Sequence, residues 1–169
     1  MRRVCIVAII GLVIATNATD AQQTPQTSEP GIALCNFKDD QQMSARYVPV
    51  AADRSEGPPV GKLWMPGGSA VTLFTSTKVA VSSTEIPVGA YSIYFIPGKK
   101  TWQLIVSKNV STAGEYEKAQ DLVRAPMEWG TLNARLDRLQ ISFAHSGPKR
   151  CEMNVDYGKT KAWITFEEK

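Results

Sequence analysis

The chain is short of the groups on which most hydrolytic and metal chemistry depends. It holds a single histidine, His145, and three cysteines in 169 residues. Ser-His-Asp and Cys-His hydrolysis both need an imidazole within hydrogen-bond reach of the nucleophile, so either would have to run through His145. That residue closes a strand-like run beside Ser146-Gly147-Pro148, the ordinary setting of a rim histidine, and no catalytic residue is assigned. Zinc requires three or four ligands in recognisable spacing. One histidine and two widely separated cysteines supply no such cluster, so neither a metal site nor a cofactor is expected. Asp39-Asp40 offers two carboxylates to calcium, but a solvated hairpin turn accounts for the pair.

Long apolar runs are also scarce. The one that exists, residues 4–15, follows Arg2 and Arg3 and gives way to Thr16-Asn17-Ala18. A membrane-spanning helix needs about 20 apolar residues; this run is too short to anchor and has the form of a secretory h-region. Thr19-Asp20-Ala21 is the better cleavage candidate and Thr16-Asn17-Ala18 the second. Residues 1–21 are therefore read as a signal peptide, and the mature chain is expected outside the cytoplasm, periplasmic or secreted, with no stable membrane anchor. A lipobox reading of Ile32-Ala33-Leu34-Cys35 fails, because leucine is wrong before the cysteine and no h-region precedes it.

Cleavage lowers the basic residues from 19 to 17 and the acidic ones from 16 to 15, leaving a charge near +2. No basic field remains that would imply nucleic acid or an anionic membrane surface. Cys5 departs with the leader, leaving Cys35 and Cys151. An even pair in an exported chain suggests a bridge, with two buried free thiols as the rival. Closing so long a loop is worth about 4–5 kcal/mol in the chain-entropy model.

Residues 22–30 are Gln, Thr, Ser and Pro with nothing to bury, and are read as a disordered tether. Residues 31–169 follow as one domain, a length that buries a continuous core. There, period-two alternation dominates. Extended segments are expected at 33–37, 43–50, 71–75, 78–82, 90–96, 102–107, 118–127, 139–143, 151–157 and 162–166. Residues 51–61, with Gly57-Pro58-Pro59, form a loop; 62–65 starts an edge strand, 109–117 is loop-like, and 135–139 is ambiguous. Some eight or nine short strands with regular turn signals give an all-β fold, an antiparallel β-sandwich or jelly-roll-like barrel. Cys35 and Cys151 both fall on the apolar phase of their strands, which supports the bridge.

Of the aromatics, Trp102 alternates with Leu104 and Val106 and belongs to the core. Trp64 and Trp129 adjoin Gly/Pro-rich or loop sequence and are the candidate binding residues. Glu115, Glu117, Asp121 and Glu128 are the acids of one loop-rich stretch, and a carboxylate-dependent hydrolase would need two of them on opposite walls of a cleft.

The ordered series Cys35-Asn36-Phe37-Lys38-Asp39, Gly61-Lys62-Leu63-Trp64, Pro87-Val88-Gly89-Ala90-Tyr91-Ser92 and Ile96-Pro97-Gly98, with 102–108 and 151–164, resembles the bacterial exported family catalogued as domain of unknown function 2911. The resemblance spans residues 33–167. It implies an exported β-rich domain without a settled activity, in some of whose members the two cysteine positions recur. It fails after Trp64, where the family's R-T-G-A-N-E-A-T-like run is replaced by Met65-Pro66-Gly67-Gly68-Ser69-Ala70-Val71-Thr72, which lacks its Arg, Asn and Glu. No site residue transfers. The expectation is a non-enzymatic extracytoplasmic binding or interaction module whose partner is a small ligand, a glycan or a protein. The alternative is an extracytoplasmic hydrolase using the acids above.

Overall fold

The alternating segments form strands. In the computed structural model the described residues are 29–53, 57–110 and 116–169; the expected signal peptide, both cleavage candidates and most of the expected tether lie outside them. Eleven strands succeed one another in order: β1 (Gly31–Asn36), β2 (Gln42–Tyr47), β3 (Val71–Thr75), β4 (Val79–Val81), β5 (Thr84–Ile86), β6 (Gly89–Ile96), β7 (Trp102–Ser107), β8 (Asp121–Thr131), β9 (Gln140–Gly147), β10 (Arg150–Tyr157) and β11 (Thr160–Glu168). Helix is confined to single turns at Pro66–Gly68 and Lys118–Gln120 among the described residues.

Nine strands make one antiparallel path, β1-β2-β3-β6-β7-β8-β11-β10-β9, so the fold is all-β. The path curls round until β1 lies against β9, and the sheet is nearly closed into a barrel. Along the path, one residue in two points inward. Met43 and Ala45 of β2, Val71 and Leu73 of β3, Ile93 and Phe95 of β6, Leu104 and Val106 of β7, Ala125 and Met127 of β8 and Met153 and Val155 of β10 are all buried in a single core. The period-two pattern of the sequence is the alternation of this wall between interior and solvent.

The departures are local. β4 and β5 form a tight hairpin off the main path, with β4 also paired to β11. Its turn residues Ser82 and Ser83 have φ of 45° and 70°, the left-handed pair that a two-residue hairpin turn demands. Serine carries no glycine-like signal for that turn, so β5 has no counterpart among the strands expected from sequence. Residues 62–65 give only one bridge, Trp64 to Phe95, because the turn at Pro66–Gly68 comes at once. β8 begins later and runs further than 118–127, reaching Thr131 along β11.

No backbone ladder joins β1 to β9 among the described residues. The seam is held by packing and by the disulfide Cys35–Cys151, with Cα atoms 6.3 Å apart across a sequence separation of 116. Both sulfurs sit on the core side; Cys35 is 2 % exposed and Cys151 0 %.

The chain's last strand carries a buried acid. Glu168 is 4 % exposed, its Oε1 has no partner among the described residues, and its backbone N–H donates to the Lys149 carbonyl at 2.8 Å. Burial raises the Glu168 carboxyl above its ordinary value of 4.5, Asp39 raises it further, and Lys149 and Thr77 act the other way. A folded pKa above the unfolded one stabilises the fold fully below the unfolded value, and that contribution is lost as pH rises through the folded value. Glu168→Gln is therefore expected to gain stability relative to the wild type as pH climbs from about 4.5 toward neutrality, and to match it most closely in acid. Urea midpoints for both proteins across that window check the sign; a gap that is constant or closes with rising pH refutes it.

Candidate functional site

Trp64 fixes the segment in which the family resemblance fails. Its backbone N–H donates to the Phe95 carbonyl at 2.7 Å and its carbonyl accepts from Phe95 N–H at 3.2 Å. Its indole rests on Trp102 at 5.7 Å, Tyr157 at 5.1 Å and Phe95 at 6.2 Å between ring centroids. These tilted and edge-to-face contacts are the preferred arrangement of aromatic quadrupoles. Trp64 is thus half-buried against the core and anchors residues 65–70.

Those residues form a turn. Gly67 has φ +73°, and a Cβ there would lie 2.6 Å from Cγ1 of Val50. Both the left-handed backbone and the close approach require glycine. The turn packs on 48–50 and leaves Ser69, Ala70 and Thr72 facing a cleft of about 460 Å³, completed by Pro30, Arg46, Tyr47, Val48 and Val110. Most of this lining is apolar. Arg46 is exposed on the outer phase of β2 and forms no ion pair among the described residues.

The cleft continues onto an open wall. Ile32, Arg46, Thr72 and Ser92 lie side by side across β1, β2, β3 and β6, and Leu34, Ser44, Phe74 and Ala90 form the next row. Both rows belong to the outer face, and Ile32 is 65 % exposed there, Leu34 54 % and Phe74 45 %. Apolar side chains of this size in adjacent rows are more than the scattered exposure of an ordinary surface.

Behind Ala70 lies a second, smaller core on the outside of the barrel, made of Ala70, Tyr94 and Ile105 and covered by Leu63, Met65, Ile96 and Tyr116. The Tyr94 hydroxyl is buried there without a partner among the described residues. Tyr116 stacks edge-on against Tyr94 with centroids 5.1 Å apart and donates its hydroxyl proton to Asp121 Oδ2 at 2.7 Å. Arg124 Nε donates to the same oxygen at 2.7 Å, and the guanidinium also reaches Gln103 and the Tyr116 hydroxyl. Burial raises the Tyr116 phenol, and the Asp121 carboxylate raises it further. These contacts engage Oδ2 of Asp121 alone; its Oδ1 is buried without a partner among the described residues.

Among the described residues, Asp121 and Glu128 do not converge. Glu115 lies outside the described residues. Glu117 is exposed beside the turn Lys118–Gln120, and Glu128 is exposed on β8. Asp121 and Glu128 sit on one strand seven residues apart, about 23 Å at the rise of a β-strand. That exceeds the separation of paired carboxylates in glycoside hydrolysis, at most about 9.5 Å. Asp39 and Asp40 occupy the β1–β2 turn, with Asp40 at φ 63°.

Trp129 is a strand residue of β8, 40 % exposed. It makes no ring contact with Trp64 among the described residues. The cleft residues carried no local signal. Arg46, Thr72 and Val110 meet only because β2, β3 and the connection after β7 are neighbours in space, and their individual environments in the sequence are ordinary.

A family model described as a protein of unknown function, DUF2911, matches residues 44–166. No curated protein and no solved structure matches the chain.

Proposed function

The chain belongs to the DUF2911 family, and we propose that it is a non-enzymatic binding module working outside the cytoplasm, whose ligand is a small amphipathic anion. The cleft carries this reading. Its volume of about 460 Å³ falls within the roughly 300–1,000 Å³ typical of small-molecule sites, which are likewise mostly apolar with a few polar groups. Arg46 supplies the polar group, and its planar fork matches a carboxylate. The ligand's apolar body runs over Val48, Ala70 and Val110 toward Ile32. Trp64 acts from behind by fixing the turn, and Trp129 belongs to no wall of this cleft. The export half of the proposal rests on the n-region and h-region of residues 1–21.

A dansyl-tagged medium-chain carboxylate tests the ligand class by its emission on binding. The wild type is expected to bind it saturably, and Arg46→Ala to weaken binding about tenfold, which is about 1.4 kcal/mol. The matching alcohol is expected to bind both proteins alike. Absence of saturable binding, or equal affinity of both proteins for the carboxylate, overturns the proposal.

A further inference from the structure

Topology assembles three metal-ligating groups that the sequence scatters. Cys151 on β10 stands directly opposite His145 on β9 in the antiparallel register, so their side chains share a face. Cys35 enters from β1 across the seam. Both ring nitrogens of His145 lie 3.8 Å from Cys35 Sγ, and the ligand atoms of Cys35, His145 and Cys151 all fall within 4.8 Å of one another. The sulfurs are bonded to each other, and a disulfide offers no thiolate to a metal.

We propose that reduction of Cys35–Cys151 converts the seam into a zinc site, with two thiolates and the His145 imidazole as a three-ligand tripod and one position left open. The dimensions agree. Zinc–sulfur bonds of about 2.3 Å and zinc–nitrogen bonds of about 2.0–2.1 Å in a tetrahedron set a sulfur and a nitrogen about 3.5 Å apart, close to the 3.8 Å already present between Cys35 Sγ and the imidazole. The two sulfurs must separate and Cys151 Sγ must draw nearer the imidazole from within 4.8 Å, and β1 permits the first. It is an edge strand hydrogen-bonded to β2 alone among the described residues, so it shifts without breaking a ladder to β9.

The electrons and protons balance through a dithiol reductant. One thiolate of the reductant attacks a seam sulfur and forms a mixed disulfide. Its second thiol resolves that intermediate, leaving the reductant as a disulfide and the protein with two thiols, a transfer of two electrons and two protons. Zinc then displaces the two thiol protons. The oxidised barrel is closed by the disulfide; the reduced one is closed by the ion. His145 is exposed while both cysteines are buried, so the open fourth position faces solvent on the histidine side.

The test uses the full mature chain, reduced with a phosphine under anaerobic conditions, desalted, and titrated with Zn²⁺ against a chromogenic chelator. One equivalent is expected to bind the reduced protein and none the oxidised protein. His145→Ala is expected to weaken binding by tenfold or more, and His145→Cys to restore it. Cobalt gives an independent readout, since the visible band of a tetrahedral thiolate complex appears only when the site assembles. Equal zinc binding by oxidised and reduced protein overturns the proposal, as does a reduced His145→Ala variant that binds like the wild type. Reduction that unfolds the chain, seen by circular dichroism, with no tetrahedral cobalt band also overturns it.

Discussion

Replacing Cys35 and Cys151 together with serine is expected to lower stability by about 2–5 kcal/mol, the range for removing a native disulfide. The upper end applies because the loop spans 116 residues of sequence separation. Chain entropy is only part of the reason. Every neighbouring pair along the main path is joined by a hydrogen-bonded ladder, whereas among the described residues β1 meets β9 by packing, and the covalent link across the seam ties β1 to β10. Serine also places two hydroxyls where sulfur is buried among apolar neighbours, and an unpaired buried hydroxyl costs roughly 1–3 kcal/mol by itself. Urea denaturation of the oxidised wild type and the double variant measures the difference. Cys35→Ala with Cys151→Ala separates the hydroxyl cost from the loss of the link. An unchanged midpoint in the alanine pair would mean that packing alone holds the seam.

The second large effect is Trp102→Ala, expected to cost about 3–5 kcal/mol, as large-to-small changes at buried aromatics do. Trp102 is 1 % exposed, stands opposite Met127 on β8 and meets Phe95 at 6.3 Å and Trp64 at 5.7 Å between centroids. Its removal opens a cavity under the indole that anchors the 64–70 segment. The variant should therefore lose carboxylate binding as well as stability, although Trp102 is no part of the cleft. Chemical denaturation gives the first quantity and the dansyl probe the second. Full binding by a folded but destabilised Trp102→Ala would show that the turn at Gly67 is held by Val48 and Val50 without Trp64's support.

The parts of the fold that sequence made readable are those with a repeating physical cause. Alternation over Leu139, Ile141 and Phe143, and over Cys151, Met153 and Val155, is the signature of a wall with one wet side, and both became strands. The shared phase of Cys35 and Cys151 pointed both sulfurs inward, which is where the bridge lies. The hairpin β4–β5 was not readable, because Ser82 and Ser83 adopt a backbone that serine does not advertise. Nor was the seam: period two says which face is buried, but not which strands become neighbours. The cleft and the Cys35–His145–Cys151 group share that origin. Both consist of residues that are ordinary one by one and informative only once β1 has been placed beside β9 and β2 beside β3.

The seam also sets an order of events. β1 comes from the start of the domain and β9 and β10 from near its end, so the contacts that close the barrel are among the most distant in sequence that the chain makes. Hairpins such as β10–β11, joined across two residues, close small loops, and small loops close fast. The seam must wait for them. Docking of β1 against β9 is therefore expected late in folding, and before it the outer edges of β1 and β9 lack even the packing that covers them in the finished fold. A chain caught at that stage would exchange its first strand with a neighbour, and the bridge formed on docking is what removes that route.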